Sequence, residues 1–368
     1  MADRNWNRID IQNIKDYYSS VSGNVVLGID GIIDEVWLLV KERRSVSECS
    51  IYESMSEFGK LILNREGSGM GVEILRKHRN WGGFTCNTGN ALSCLGIKPV
   101  MIGMFGREAI DPVFKEFPNS CKLISLGDPA VCHIFEFDDG KIMFPYVESI
   151  ISVNWNSLED KLDSDALKDI FSTPDIITIG YWSSMTEFDA ILENICEYVD
   201  NKRPIKFFFD FADLKKRTRS ALEFTLNNLK RLNQIAPMTL SLNDNEAETL
   251  FSCFSEKCGA DAQEYEASLD SVRRRIGIDE LIVHTPHFAA GASVAEGTAS
   301  IPQRHCIKAK KTVGAGDTFN GGYISASLGS LDILSRLAVA NSASSFYVSR
   351  GCAPGRNDLI DEMTAIMG

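Results

Sequence analysis

Short apolar runs that neither alternate with polar residues nor reach helical length constrain this chain more than any other feature. They recur from Ile170 onward, at Ile176–Ile179, Lys206–Phe209, Thr239–Leu242 and Leu281–His284. Successive residues of a strand are all apolar when both of its faces are covered, as in a parallel sheet held between helices. Between these runs lie helix-competent segments near 186–199, 217–232, 244–253 and 263–276. That order joins parallel neighbours by right-handed crossovers. The expected fold class is α/β, a mostly parallel sheet flanked by helices. Val25–Ile29 and Lys98–Met104 read as further buried strands, and a helix over Thr88–Leu95 is closed by Gly96.

Residues 130–147 interrupt the alternation. Val131–Phe137 and Lys141–Val147 flank Asp138-Asp139-Gly140, a hairpin signal. Together with Val36–Val40 they predict a small β-sheet off the main body, serving as a lid or forming an edge of the main sheet. No internal repeat, low-complexity tract or linker divides the chain. Residues 1–368 therefore read as one domain, with β-lid segments near 34–44 and 130–147.

Composition narrows the class of partner. With 368 residues, 44% of them hydrophobic and 24% charged, the chain can bury a large core as an ordinary soluble globular protein. A net charge of -12 argues against nucleic acid and anionic membrane as partners. No apolar run approaches the ~18 residues that cross a bilayer, and no secretory pattern opens the sequence. Ten cysteines are scattered singly, without a Cys-x-x-Cys pair or histidines at metal-ligand spacing. A reducing cytoplasm and no structural zinc are expected.

Chemistry concentrates near the C-terminus, in Lys311-Thr-Val-Gly-Ala-Gly-Asp-Thr-Phe-Asn-Gly-Gly-Tyr323. Gly314, Ala315 and Gly316 let the backbone approach a ligand, and a helix-competent segment from Thr318 to Leu328 follows. A helix start leaves amide donors unpaired and carries the positive end of the helix dipole, so it favours a phosphoryl group. Asp317 would be repelled there unless it takes the proton of a hydroxyl attacking that phosphate; otherwise it is a helix cap. Asp34 sits beyond a predicted strand end, where ligands of open α/β sheets gather. Gly82 and Gly83 open a helix that carries Asn87. Asn243 and Glu246, three apart at a strand-to-helix turn, either present an amide and a carboxylate to hydrated Mg²⁺ or form a plain cap.

The order Asp34, Gly82-Gly83 with Asn87, Asn243-x-x-Glu246 and Gly314-Ala-Gly-Asp317 resembles the ribokinase-like (PfkB) family of carbohydrate and nucleoside kinases. The resemblance spans roughly residues 24 to 355, and Thr312–Gly322 matches the family's C-terminal signature. It implies a Rossmann-like sheet flanked by helices, a β-lid and, through that lid, a homodimer. It implies ATP and Mg²⁺ as cofactors and a small sugar or nucleoside as acceptor. Asp317 would be the catalytic base, and Gly314, Ala315 and Gly316 the anion hole. Asp34, Gly82, Gly83 and Asn87 would hold sugar hydroxyls. Asn243, Glu246, Thr285 and Asn341 would serve the nucleotide, with Glu246 reaching Mg²⁺ through water.

Three positions depart from the family pattern. Lys311, in the run Lys308-Ala-Lys-Lys311, stands where many members have an Asp that helps bind a monovalent cation. Its ammonium would replace that ion, or else be merely solvated. His284-Thr-Pro-His-Phe-Ala-Ala-Gly291 replaces a Thr-x-Gly-x-x-Gly turn, keeping Thr285 but placing Pro286 and His287 where small residues are expected. Arg107 follows Gly106 where an Asp is common; it would bind a substrate phosphate or pair with a neighbouring acid, the second being favoured. A kinase acting on a sugar is the expectation, with a nucleoside kinase or a catalytically impaired binding protein as alternatives. A nicotinamide dehydrogenase is disfavoured, because Gly28–Asp34 supplies no Gly-x-Gly-x-x-Gly.

Overall fold

A computed structural model describes residues 5–367 except 116, 118–120, 200–202, 260, 261, 305, 307 and 308. Lys308 thus lies outside the described residues. In chain order the strands are β1 (Asn24–Gly28), β2 (Ile32–Arg43), β3 (Cys49–Ile51), β4 (Ile74–Gly82), β5 (Lys98–Gly103), β6 (Lys122–Ser125), β7 (Ala130–Phe137), β8 (Gly140–Tyr146), β9 (Ile176–Gly180), β10 (Lys206–Asp210), β11 (Met238–Asn243), β12 (Glu280–His284), β13 (Phe288–Ser293) and β14 (Gly297–Pro302).

Nine of them form one sheet in the order β14-β13-β12-β11-β10-β9-β1-β5-β6. Every pair from β12 to β6 is parallel, and only the pairings of β13, with β12 and with β14, are antiparallel. The continuous apolar runs are explained by what covers each face. Val26, Ile177, Ile179, Phe207, Phe209, Leu240 and Leu242 enter one buried cluster. Val25, Leu27, Ile176, Phe208 and Ile282 point the other way into a second. The strand order reverses between β9 and β1, and the crevice at a sheet's C-terminal edge opens at such a point.

A second sheet of five strands, β3-β2-β7-β8 with β4 also on β2, stands beside the first. The stretches at Val36–Val40, Val131–Phe137 and Lys141–Val147 lie in its β2, β7 and β8. β4 is not apparent in the sequence, because Arg76, Lys77, His78 and Arg79 give no apolar alternation. Backbone pairing along β2 and charge pairs hold it in place: Arg79 with Glu35 at 3.4 Å, and Lys77 with Glu136. β13 is equally hidden, since Ala289-Ala-Gly-Ala-Ser293 lacks branched or aromatic residues. Its small side chains suit close packing, for a Cβ added at Gly291 would fall 2.8 Å from Ile333 Cδ1. Among the described residues no helix is long and apolar enough to cross a membrane.

Candidate active site

The Ala315–Ala326 helix begins at Gly314, whose φ of 86° is left-handed and open mainly to glycine. A Cβ there would fall 2.8 Å from the Tyr347 hydroxyl and 3.3 Å from Asn87. Of the three amides expected to cradle an anion, that of Ala315 is occupied: it donates to the Thr312 carbonyl at 3.2 Å. Among the described residues the N–H groups of Gly314, Gly316 and Asp317 have no acceptor in the chain. The amides left open are therefore those of Gly314, Gly316 and Asp317, with Asp317 in place of the Ala315 that the sequence indicates.

Asp317 faces the Phe84–Cys94 helix. Asn87 Nδ2 donates to its Oδ2 at 2.8 Å, and the Thr88 hydroxyl reaches its carbonyl at 3.3 Å. The two helices approach closely because Gly321 meets Ala91, where an added Cβ would come within 2.6 Å. Burial holds the Asp317 carboxyl well above the usual carboxylate range, with the charge of Asp210 adding to the effect. The Asn87 bond opposes that shift by favouring the ionised form.

Asp34, on β2, accepts no hydrogen bond from the chain among the described residues and sits over Gly82, where an added Cβ would fall on its Oδ2. Burial pushes it up to about 6, against the opposing charges of Lys311 and Lys141. Gly83, with a φ of 86°, starts the Phe84–Cys94 helix. The side chain that caps this helix is Asp30, which the sequence reading did not single out. It is fully buried and accepts from the N–H groups of Phe84 at 2.8 Å and Thr85 at 2.7 Å. Asp34, Gly82, Gly83, Asn87 and Asp317 thus form one wall.

Asn243 and Glu246 close a reciprocal cap on the Asp244–Cys253 helix. Glu246 accepts from the Asn243 backbone at 2.9 Å and from its side-chain amide at 2.6 Å, so both carboxylate oxygens are engaged. Burial pushes Glu246 up to about 9, helped by the charge of Asp210. Among the described residues no group of three or more His, Cys, Asp or Glu is placed to hold a metal ion directly. The chemistry fits instead a hydrated divalent cation carried by phosphates. Burial and the charges of Asp210 and Asp213 disfavour the ionised form of Glu246, and such a cation would restore it.

Asn243, Asp244, His284, Thr285, Thr312, Ala315 and Gly316 line one end of a cavity of about 370 Å³. The rest of it is formed by Pro286, Gln303, Arg304, Cys306, Ser344, Ser345 and Val348. Thr285 folds onto its own turn, its hydroxyl accepting from the N–H groups of His287 and Phe288 at 3.0 Å. Asn341 is not in this wall; it is 2% exposed and donates to the Ile301 carbonyl at 3.3 Å. One helical turn further Ser344 and Ser345 face the cavity, and two turns further Val348 does. His284, which the sequence flags only as part of a departing turn, packs on Phe319 with ring centres 4.8 Å apart. Burial brings its pKa down to about 4, so at neutral pH it is an uncharged donor beside Gly316. Lys311 is exposed, with Nζ 5.2 Å from the centre of the Tyr347 ring. Arg107 pairs with Asp128 at 3.1 Å, the favoured of its two readings.

The family model for prokaryotic ketohexokinase matches residues 14–365. A ketohexokinase of Haloferax volcanii is 23% identical over 342 residues, which cover 92% of this chain and 90% of that protein. Among solved structures, a phosphofructokinase-2 mutant from Escherichia coli has a TM-score of 0.63 at 13% identity, covering 95% of this chain and all of that one. A fructokinase with bound ATP from Xylella fastidiosa has a TM-score of 0.62 at 13% identity, covering 94% and 99%. A nucleoside kinase from Burkholderia thailandensis has a TM-score of 0.60 at 16% identity, covering 92% and 99%.

Proposed function

The chain belongs to the prokaryotic ketohexokinase family and is a PfkB-type carbohydrate kinase, a phosphotransferase with an alcohol acceptor, and from that premise we propose that it transfers the γ-phosphoryl group of ATP to a hydroxyl of a ketohexose. The observation that carries the site assignment is the Asn87–Asp317 bond at 2.8 Å beside the free amides of Gly314, Gly316 and Asp317. It sets a carboxylate against an anion cradle, on the wall shared with Asp34.

Asp34, free of internal bonds, accepts from hydroxyls of the sugar, with Gly82 and Gly83 leaving room for the ring and Asn87 offering its carbonyl oxygen. Asp317 takes the proton of the attacking hydroxyl. Asn87 holds that carboxylate in one orientation before the acceptor arrives. The three free amides receive the charge that spreads over the phosphoryl oxygens. Glu246 and Asp210, together with the nucleotide phosphates, would hold a hydrated Mg²⁺ through water, and its charge would add to that neutralisation. The neutral His284 ring donates to the phosphate chain without adding charge. The second sheet, carrying Asp34, covers the acceptor and excludes water as a competing nucleophile.

A coupled assay of ADP release tests the acceptor. Fructose or another ketohexose is expected to be turned over well above glucose, ribose and adenosine. Turnover of adenosine or an aldose with none of any ketohexose would overturn the assignment.

Lys311 takes the place of a monovalent cation in this reading. Its ammonium lies over Tyr347, whose hydroxyl donates to the Val313 carbonyl at 2.7 Å, so the charge is tied to the loop that carries the free amides. Turnover in potassium and in tetramethylammonium buffers should agree within about twofold, a difference of less than ~0.5 kcal/mol. Strong activation by potassium removes the idea.

A further inference from the structure

We propose that Gln303 reads the nucleobase, its side-chain carbonyl accepting from an exocyclic amine, so that the chain selects an adenine nucleotide over a 6-oxopurine nucleotide. The inference rests on the reading of the cavity as the nucleotide site. Its phosphate end is fixed by Gly316 and Asn243, so a nucleotide that extends from there places its base among Pro286, Gln303, Arg304, Ser344 and Val348.

At that end most polar side chains already have partners. Ser345 donates to Glu362 at 2.8 Å, and Arg304 pairs with the same carboxylate at 3.4 Å. Gln303 differs. Among the described residues its buried Oε1 has no hydrogen-bond donor, and its Nε2 makes only a long contact of 3.5 Å to the Asn341 carbonyl. A buried carbonyl without a donor costs about 1–3 kcal/mol, which a native site tolerates when a ligand supplies the donor. The backbone of Gln303 is anchored, since its N–H donates to the His287 carbonyl at 2.7 Å. Its side chain is not, and turning the amide toward the cavity breaks no short bond. The carbonyl cannot instead take the place of Nε2, because it would then face the Asn341 carbonyl, oxygen to oxygen. Ser344 also lines the cavity, but a hydroxyl donates and accepts alike and does not discriminate.

Adenine offers an amine at its 6-position and an acceptor at N1; hypoxanthine offers an oxygen at the 6-position and a hydrogen on N1. Calorimetric binding of ADP and of IDP, compared between the wild-type chain and Gln303 variants, therefore isolates the contribution of this side chain without any phosphoryl transfer. The wild-type chain should bind ADP about tenfold or more tightly than IDP. Gln303→Met, which keeps the shape and removes the acceptor, should bring the ratio close to one. Gln303→Glu, which keeps an acceptor oxygen, should retain the preference. Equal binding of ADP and IDP by the wild-type chain, or a preference that survives in Gln303→Met, overturns the proposal. Failure of both nucleotides to bind overturns it together with the assignment of the cavity. An intact ADP preference in a chain that phosphorylates no ketohexose supports it and removes only the acceptor reading.

Discussion

Asp317→Asn is expected to lower kcat by about 10²–10⁴-fold while nucleotide affinity stays nearly unchanged. The substitution keeps the shape of the side chain and leaves the backbone amides in place, so the loss isolates the proton acceptor. Burial and the charge of Asp210 both hold the Asp317 carboxyl above its ordinary range. A group with a raised pKa is a stronger base once ionised, yet it is protonated over a wider span of acid pH. The sign follows directly: kcat/KM for the acceptor falls as pH drops through the raised pKa of Asp317. Asp34, pushed up to about 6, loses its charge over part of the same range and steepens that fall. Steady-state rates from pH 5 to pH 9 measure it, and in Asp317→Asn most of the rate should be lost and the acid limb reduced to the part that Asp34 contributes. Turnover at the wild-type level in that variant would show that another group takes the proton.

Gly83→Ala is expected to abolish acceptor binding and to destabilise the fold on the scale of several kcal/mol. Two effects add. A φ of 86° is strained for any residue with a Cβ, at roughly 1–3 kcal/mol. The added Cβ would also land on Asp30 Oδ2, the atom that accepts from the Phe84 N–H. Asp30 would have to swing away, leaving two buried donors of the Phe84–Cys94 helix unmet at about 1–3 kcal/mol each. The sum approaches the whole stability of an ordinary domain, about 5–15 kcal/mol. Thermal unfolding followed by circular dichroism measures the loss. A melting temperature within a degree or two of wild type would show that the turn relaxes freely.

The parallel sheet was legible because burial on both faces writes itself into consecutive apolar residues, as in Ile176-Ile-Thr-Ile-Gly180. β4 was not, because a strand held by pairing and by Arg79–Glu35 carries no apolar period. β13 was hidden for the opposite reason, its alanines and glycine being chosen for closeness rather than for strand propensity. At the site, Asp317, Gly83 and Asn243 could be singled out because their local sequence names their local geometry: a glycine before a helix, or a capping pair. Three-dimensional neighbours could not. Asp30 and Asp210 end two strands that the fold brings near Asp317, and nothing in their own segments says so. Asn341 illustrates the converse. Only the packing against β14 decides that it points inward while Ser344, Ser345 and Val348 face the cavity. The engaged Ala315 amide belongs to the same kind, a tight turn whose bond depends on the conformation of Thr312.

β2 leaves β1 after only Ile29, Asp30 and Gly31, and Asp34 is bracketed by Asn80 on one side and Cys132 on the other. Its carboxylate is therefore bolted into the roof and cannot shift without it. With Asp34 holding the sugar as proposed, any tilt of the five strands would carry this oxygen pair along, so that gripping the sugar and shutting the chamber would become a single movement with one lever arm. A water molecule, offering no ring of hydroxyls to pull on that lever, would give the roof no reason to descend.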